Sequence, residues 1–334
     1  MKSFGNDGPN SRFLTGLLFA LASAVFFGLS GSVGKSLLDL GWSPGATTLA
    51  RVVIGAVVLA VPGFLAARGL WDRVLSRMGT MVAYGLFAVA GAQLCYFVAI
   101  QTLDVSVALL IEYMAPLVVV GWLWFRYGNR PRSAAFVGAS LAVLGLALLL
   151  NVGTGVSVNV VGVAWALGAT IGATVYFLIS GNNTTGIPSI TLAAGGLCVA
   201  AVALGIAGIT GILPLTFTTG TVALGATSLP WWLALALLGV VTAAFAYVTG
   251  IEATRRLGAR LGSFVALNEV LAATVFAWIL LGQTLTYIQI GGAVFVLVGV
   301  ICVKWVEPRM DAVSLEEDHA SLRTTAKRRL ISNH

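Results

Sequence analysis

The chain has 334 residues, of which 58% are hydrophobic and 9% charged, against the ~25% charged of an average soluble domain. With a mean hydropathy of +0.97 it excludes a soluble globular protein and requires an integral membrane protein. The net charge of +7 would suggest a nucleic-acid partner in a soluble chain, but its placement, described below, points to a lipid bilayer and away from nucleic acid.

In chain order, residues 1–12 form a polar segment. At roughly 20 apolar residues per span the remainder predicts about ten helices, over 13–38, 45–66, 79–101, 105–125, 134–151, 160–180, 188–210, 230–250, 260–281 and 287–305. The first is longer than the ~7–15 residues of a signal-peptide core and is read as retained. Trp231 and Trp232 are expected at the outer interface and Trp305 at the inner one, as aromatic anchors. Residues 306–334 mix both signs of charge and read as a disordered tail. The fold expected is therefore all-α and polytopic.

Basic residues cluster at Arg68, Arg73 and Arg77, at Arg126, Arg130 and Arg132, at Arg255, Arg256 and Arg260, and from Lys304 onward. The alternate connections, 39–44, 103–105, 152–159, 211–229 and 282–286, hold no Lys or Arg. That asymmetry is the positive-inside pattern and predicts a plasma-membrane protein with both termini cytoplasmic. The sequon at Asn182 and Asn183 falls on the predicted cytoplasmic side and is set aside.

The chain also resembles itself. Sliding it by 154 residues brings Leu103 onto Leu257, Trp124 onto Trp278, Gly128 onto Gly282, Gly138 onto Gly292 and Gly145 onto Gly299 without a gap. A shift of 151 brings Tyr96 onto Tyr247, and one of 146 brings Gly16 onto Gly162. Two units follow, 13–151 and 160–305, each with five predicted helices. An odd number forces the second copy to enter from the opposite face, giving the inverted repeats that recur in secondary transporters with a site between the halves.

Chemistry is sparse. The cysteines, Cys95, Cys198 and Cys302, lie in apolar segments without CxxC spacing, and both histidines, His319 and His334, lie in the tail. No metal, cofactor or enzymatic activity is expected. The charges within apolar spans are Lys35, Arg51, Glu112 and Glu269. Each costs roughly 2.5–3.5 kcal/mol at a helix centre on insertion scales, so each must face water or a partner. Under the 154-residue shift Glu269 falls opposite Ala115 and Glu112 opposite Ala266, one helical turn out of symmetry, so each half contributes one acid. By helix rise Glu112 and Glu269 approach the bilayer midplane from opposite sides. The functional reading has them bind protons or a substrate ammonium while Arg51 or Lys35 answers a carboxylate. The structural alternative is an Arg51 to Glu112 bridge, with Lys35 reaching the outer edge. Pro116 frees a carbonyl near Glu112 and marks a hinge or a packing kink. Tyr96, Tyr247, Gln93, Gln101, Asn268 and Trp165 are candidate cavity residues.

Three stretches carry a resemblance over most of 13–305: SGSVGKSLLDLGWSPGATTLAR (Ser30 to Arg51), YFVAIQT (Tyr96 to Thr102) and ALLIEYMAPL (Ala108 to Leu117). The chain resembles the EamA family of the drug/metabolite transporter superfamily, and within it the bacterial threonine and homoserine exporters. The resemblance implies ten helices in two inverted repeats and proton-linked or exchange-type export of a small metabolite, commonly an amino acid; a monomer or homodimer is expected. The sequence departs from the family at Glu269, followed by Val270 instead of proline, and at Gly282, followed by Gln283. A drug-like or amine exporter and a channel are the competing functions.

Overall fold

The computed structural model describes residues 9–115, 117–118, 133–149, 159–181 and 186–306. The Pro116 hinge, the basic loop at 126–132, the Asn182 sequon and the tail from 307 lie outside the described residues. Helix α1 runs Pro9–Asp39 and α2 Pro44–Ala66. A short α3, Trp71–Ser76, lies in the arginine-bearing connection that follows. A rod over 78–99 then comprises α4 (Met78–Ala83), a π-helical segment (Tyr84–Gly91) and α5 (Ala92–Ala99). Next come α6 (Val105–Glu112), α7 (Ser133–Leu149), α8 (Val160–Ser180) and α9 (Ser189–Ile209). Strands β1 (Thr221–Leu224) and β2 (Thr227–Pro230) precede α10 (Trp231–Ala236), a second π-helical segment (Leu237–Phe245), α11 (Ala246–Ala266), α12 (Asn268–Leu281) and α13 (Tyr287–Val306).

Six of these stretches are long and apolar enough to cross a bilayer: Phe13–Asp39, Pro44–Ala66, Met78–Ala99, Val160–Ser180, Ser189–Ile209 and Trp231–Leu257. Two shorter apolar helices, Asn268–Leu281 and Tyr287–Gly299, follow them. Local chemistry sets the edges. Ser43 caps α2 by accepting from Ala46 N at 3.2 Å with Pro44 in the first turn, where its missing N–H is not needed. Asn159 caps α8 by accepting from Gly162 N at 2.9 Å. Gly282 ends α12 in the left-handed region at φ 66°, where a Cβ is costly.

Two expectations need correction. The fold is not wholly α: β1 and β2 form an antiparallel hairpin across Gly225 and Ala226. Alternation in TVAL buries Val222 and Leu224, Gly225 takes a positive φ of 62°, and its N–H donates to Leu280 O at 2.7 Å. The connection before it is tied down as well, with Trp42 Nε1 donating to Thr218 O at 2.7 Å. The expected loop between spans near 250–260 is instead helical, because α11 runs on to Ala266. Its polar face is held by Glu252 and Arg256, paired at 2.7 Å one turn apart, and by Arg255 donating to Ile187 O at 2.5 Å.

Glycine contacts define the packing. A Cβ on Gly145 of α7 would stand 2.6 Å from Gly292 O of α13, and one on Gly299 of α13 would stand 2.5 Å from Gly138 O of α7. The two helices are thus antiparallel and nearly in backbone contact, as small residues allow where lipid gives no hydrophobic drive. Likewise Gly63 of α2 lies against Ala194 of α9 and Gly55 against Leu197. Helix α1 crosses α11 with Gly16 at Leu257, and reaches α12 with Gly28 at Ala272 and Ala273.

Candidate functional site

Two helices are interrupted at corresponding places. Helix α6 stops at Glu112 and passes through a turn at Tyr113 and Met114; α11 stops at Ala266 and α12 restarts at Asn268, leaving Leu267 in the turn. Leu267 is Tyr113 displaced by 154. An interrupted helix leaves carbonyls without their usual i+4 donors; here Ile111 O takes Met114 N at 3.0 Å, and side chains supply further donors. Ile111 O accepts from Thr170 Oγ1 at 2.9 Å, Ala115 O from Thr174 Oγ1 at 3.4 Å, and Val265 O from Asn268 Nδ2 at 2.8 Å. Broken helices with the site beside the break are a recurrent transporter device.

Beside the breaks lies a small cavity lined by Glu112, Tyr113 and Glu269, by Gln93, Ala88 and Ala92, by Phe27 and Tyr247, and by Ala173, Tyr176 and Phe177 of α8. A second, smaller space shares Phe27, Tyr113, Tyr176, Phe177 and Glu269 and continues past Ser23, Gly250 and Thr254. Glu112 and Glu269 are both partly buried. The Tyr113 hydroxyl donates to Glu269 Oε2 at 2.6 Å, so the residue next to one acid holds the other. The aromatic wall is ordered by edge contacts, with Phe27 against Tyr247 at 5.0 Å and 87° and Tyr176 against Tyr247 at 6.0 Å.

Arg51 does not bridge to Glu112. Among the described residues the ion pairs are Lys35 with Asp39 and Arg256 with Glu252. Fully buried on α2, Arg51 donates to the side-chain oxygen of Gln93 and to Thr242 O in the second π-helical segment, and lies over the Phe97 ring at 5.7 Å. Lys35 is absent from the cavity wall and pairs with Asp39 at 3.0 Å, because position i+4 on the same helix face supplies a carboxylate near the helix end.

Of the other predicted residues, Gln93 and Tyr247 line the cavity, while Tyr96 is buried with its hydroxyl over Gly31 of α1. Asn268 is an exposed cap for Val265 O, Trp165 is 40% exposed on α8, and Gln101 is exposed beyond α5. Tyr113, Tyr176, Phe27 and Phe177 were not foreseen. The signal for Tyr113 was available, since it sits between an intramembrane acid and a proline.

The EamA-like transporter family matches this chain twice, over residues 14–151 and 160–305. The threonine/homoserine exporter RhtA of Escherichia coli strain K12 is 32% identical over 277 residues, covering 82% of this chain and 85% of that protein. RhtA of Salmonella typhimurium strain LT2 is 32% identical over 261 residues, 78% of this chain and 81% of its own. An uncharacterized inner membrane transporter, YicL of the same Salmonella strain, is 22% identical over 299 residues, 86% and 94% of the two chains. A solved crystal structure 21% identical to this chain superposes with a TM-score of 0.58, covering 90% of this chain and 99% of the other, a likeness of fold. The double match spans nearly all the apolar sequence, and the chain belongs to the EamA-like transporter family: it is a multi-pass membrane transporter and not an enzyme.

Proposed function

We propose that the protein is a secondary transporter that exports a small zwitterionic metabolite, an amino acid of the threonine or homoserine kind, by alternating access between residues 13–151 and 160–305. In this reading the chain makes ten spans as two inverted five-helix repeats in the inner membrane, with both termini cytoplasmic. The contacts of α7 and α13 support the inversion. Gly145 meets Gly292 and Gly138 meets Gly299, and the 154-residue shift exchanges these two pairs. A contact that maps onto itself when partners are exchanged is what a two-fold axis produces, and antiparallel equivalent helices support an axis in the membrane plane.

The observation that carries the function is that one acid from each half reaches a single cavity, with Tyr113 of the first half bound to Glu269 of the second at 2.6 Å. A substrate ammonium or a proton bound there touches both halves, so its arrival or departure can bias their relative position. The 32% identity to threonine/homoserine exporters supports the substrate class. As a hypothesis, protonation of Glu112 or Glu269 couples export to the proton gradient. The aromatic wall of Phe27, Tyr113, Tyr176, Phe177 and Tyr247 favours a second reading, an exporter of an amine with an apolar body, since such rings attract cations through their faces.

Counterflow of labelled threonine in proteoliposomes tests the proposal. Transient accumulation driven by trapped unlabelled threonine is the expected result. Equilibration without overshoot would mark a pore, and no threonine entry together with overshoot of a labelled amine would replace the amino-acid reading with the amine one.

A further inference from the structure

The cavity presents its two carboxylates from α6 and α12, while its α5 and α11 sides carry no formal charge at their lining residues, Gln93 and Tyr247. Behind Gln93 stands Arg51, fully buried and absent from the cavity wall. Its guanidinium has donors and no acceptor, so its bond to Gln93 fixes the amide with Oε1 toward Arg51. The N–H donors of the same amide then lie on the side away from Arg51, with the Tyr247 hydroxyl as a hydrogen-bonding neighbour and both residues in the cavity wall. The other end of Arg51 is tied to Thr242 O, which holds the guanidinium in place.

An amide whose oxygen is bound by a cation is polarised, and its N–H groups become stronger donors. The neighbouring hydroxyls are otherwise engaged: Tyr113 donates to Glu269, and the Tyr247 oxygen lies 3.4 Å from Ala88 O.

We propose that Gln93 is the specificity-determining residue of this transporter. Its remaining N–H donor receives the substrate carboxylate and relays the positive character of Arg51 into the cavity without exposing the guanidinium, while the ammonium faces Glu112 and Glu269. The inference rests on the amino-acid reading above and deepens it: a carrier so built separates an amino acid from the amine left after loss of its carboxyl group. Removing a hydrogen-bonding group from a ligand built into such a site leaves the site's donors unpaired, which is how polar sites reject truncated analogues.

The test compares threonine with 1-amino-2-propanol, its decarboxylated counterpart, as ligands that raise the thermal stability of the purified full-length protein in detergent. Wild-type protein is expected to bind threonine at least about tenfold more tightly than the amine, since one hydrogen bond to a charged group contributes about 1.5–3 kcal/mol. In Gln93→Glu, which keeps an oxygen for Arg51 and removes the donors, and in Gln93→Met, which keeps only the shape, threonine affinity should fall until the ratio is near one while amine affinity holds. A ratio unchanged in both variants, or equal weakening of both ligands, overturns the role of Gln93 and leaves the amino-acid reading standing. Wild-type protein that binds the amine and ignores threonine overturns both.

Discussion

The two helix breaks are near copies that differ in how they are secured. At the first, Ile111 O and Ala115 O are capped by Thr170 and Thr174 of α8, so the first half's break is bound to the second half. At the second, Val265 O is capped by Asn268, three residues on in the same chain segment. The turn residue differs as well. Tyr113 and Leu267, its counterpart, are alike buried in the core, but Tyr113 carries a hydroxyl that reaches Glu269 and Leu267 has no polar group to offer. One break is thus tied to a helix of the second matched stretch, and the other closes within its own segment. The three-residue displacement between Glu112 and Glu269 fits that division, since a Tyr beside the first acid reaches an acid one turn further along in the second.

The symmetric part of this comparison can be broken hardest at the glycine contacts. Gly145→Ala and Gly299→Ala each drive a methyl into backbone atoms, at 2.6 and 2.5 Å respectively. Overpacking costs about 1–3 kcal/mol, and immovable backbone puts both at the upper end. Thermal unfolding in detergent should show two losses of similar size; a large loss in one variant and none in the other would contradict the two-fold contact.

The asymmetric part is tested at Tyr113. Tyr113→Phe removes a hydrogen bond to a carboxylate worth about 1.5–3 kcal/mol, and counterflow should slow about tenfold or more, while Leu267→Met, at the corresponding turn, should slow it by less than about twofold. Comparable losses at the two positions would mean that both turns act only as packing.

Smaller effects are expected at the caps. Hydrogen bonds between membrane helices average about 0.6 kcal/mol and reach about 1.7. Thr170→Val removes the donor from Ile111 O across halves, where Thr170 also reaches Ala166 O at 3.1 Å, and should cost about 1–1.7 kcal/mol by thermal unfolding. Asn268→Ala removes an exposed local cap and should cost no more than about 0.6. The reverse order would erase the distinction between the two breaks.

Much of the fold was legible because the bilayer imposes a strong pattern. The helix expected over 160–180 is Val160–Ser180, and the one over 45–66 is Pro44–Ala66, since long apolar runs with capped ends leave little freedom. The hairpin over 221–230 was not, because four-residue strands among threonines and glycines resemble any loop. At the site, intramembrane charge singled out Glu112, Glu269 and Arg51, but charge alone does not choose partners. Arg51 took an amide and a carbonyl in place of Glu112, and Lys35 took Asp39, because both partners sat on the facing or the same helix surface. The aromatic wall escaped notice for the opposite reason: Tyr176 and Phe177 look like packing residues until the glycines around them show how closely the helices approach.

The central claim, that one acid from each half serves a common coupling site, is tested most directly by threonine uptake into inverted membrane vesicles under an imposed pH gradient. The account predicts that the wild-type protein responds to the gradient and that Glu112→Gln and Glu269→Gln each abolish the response. Gradient-driven uptake that persists in either variant would contradict it.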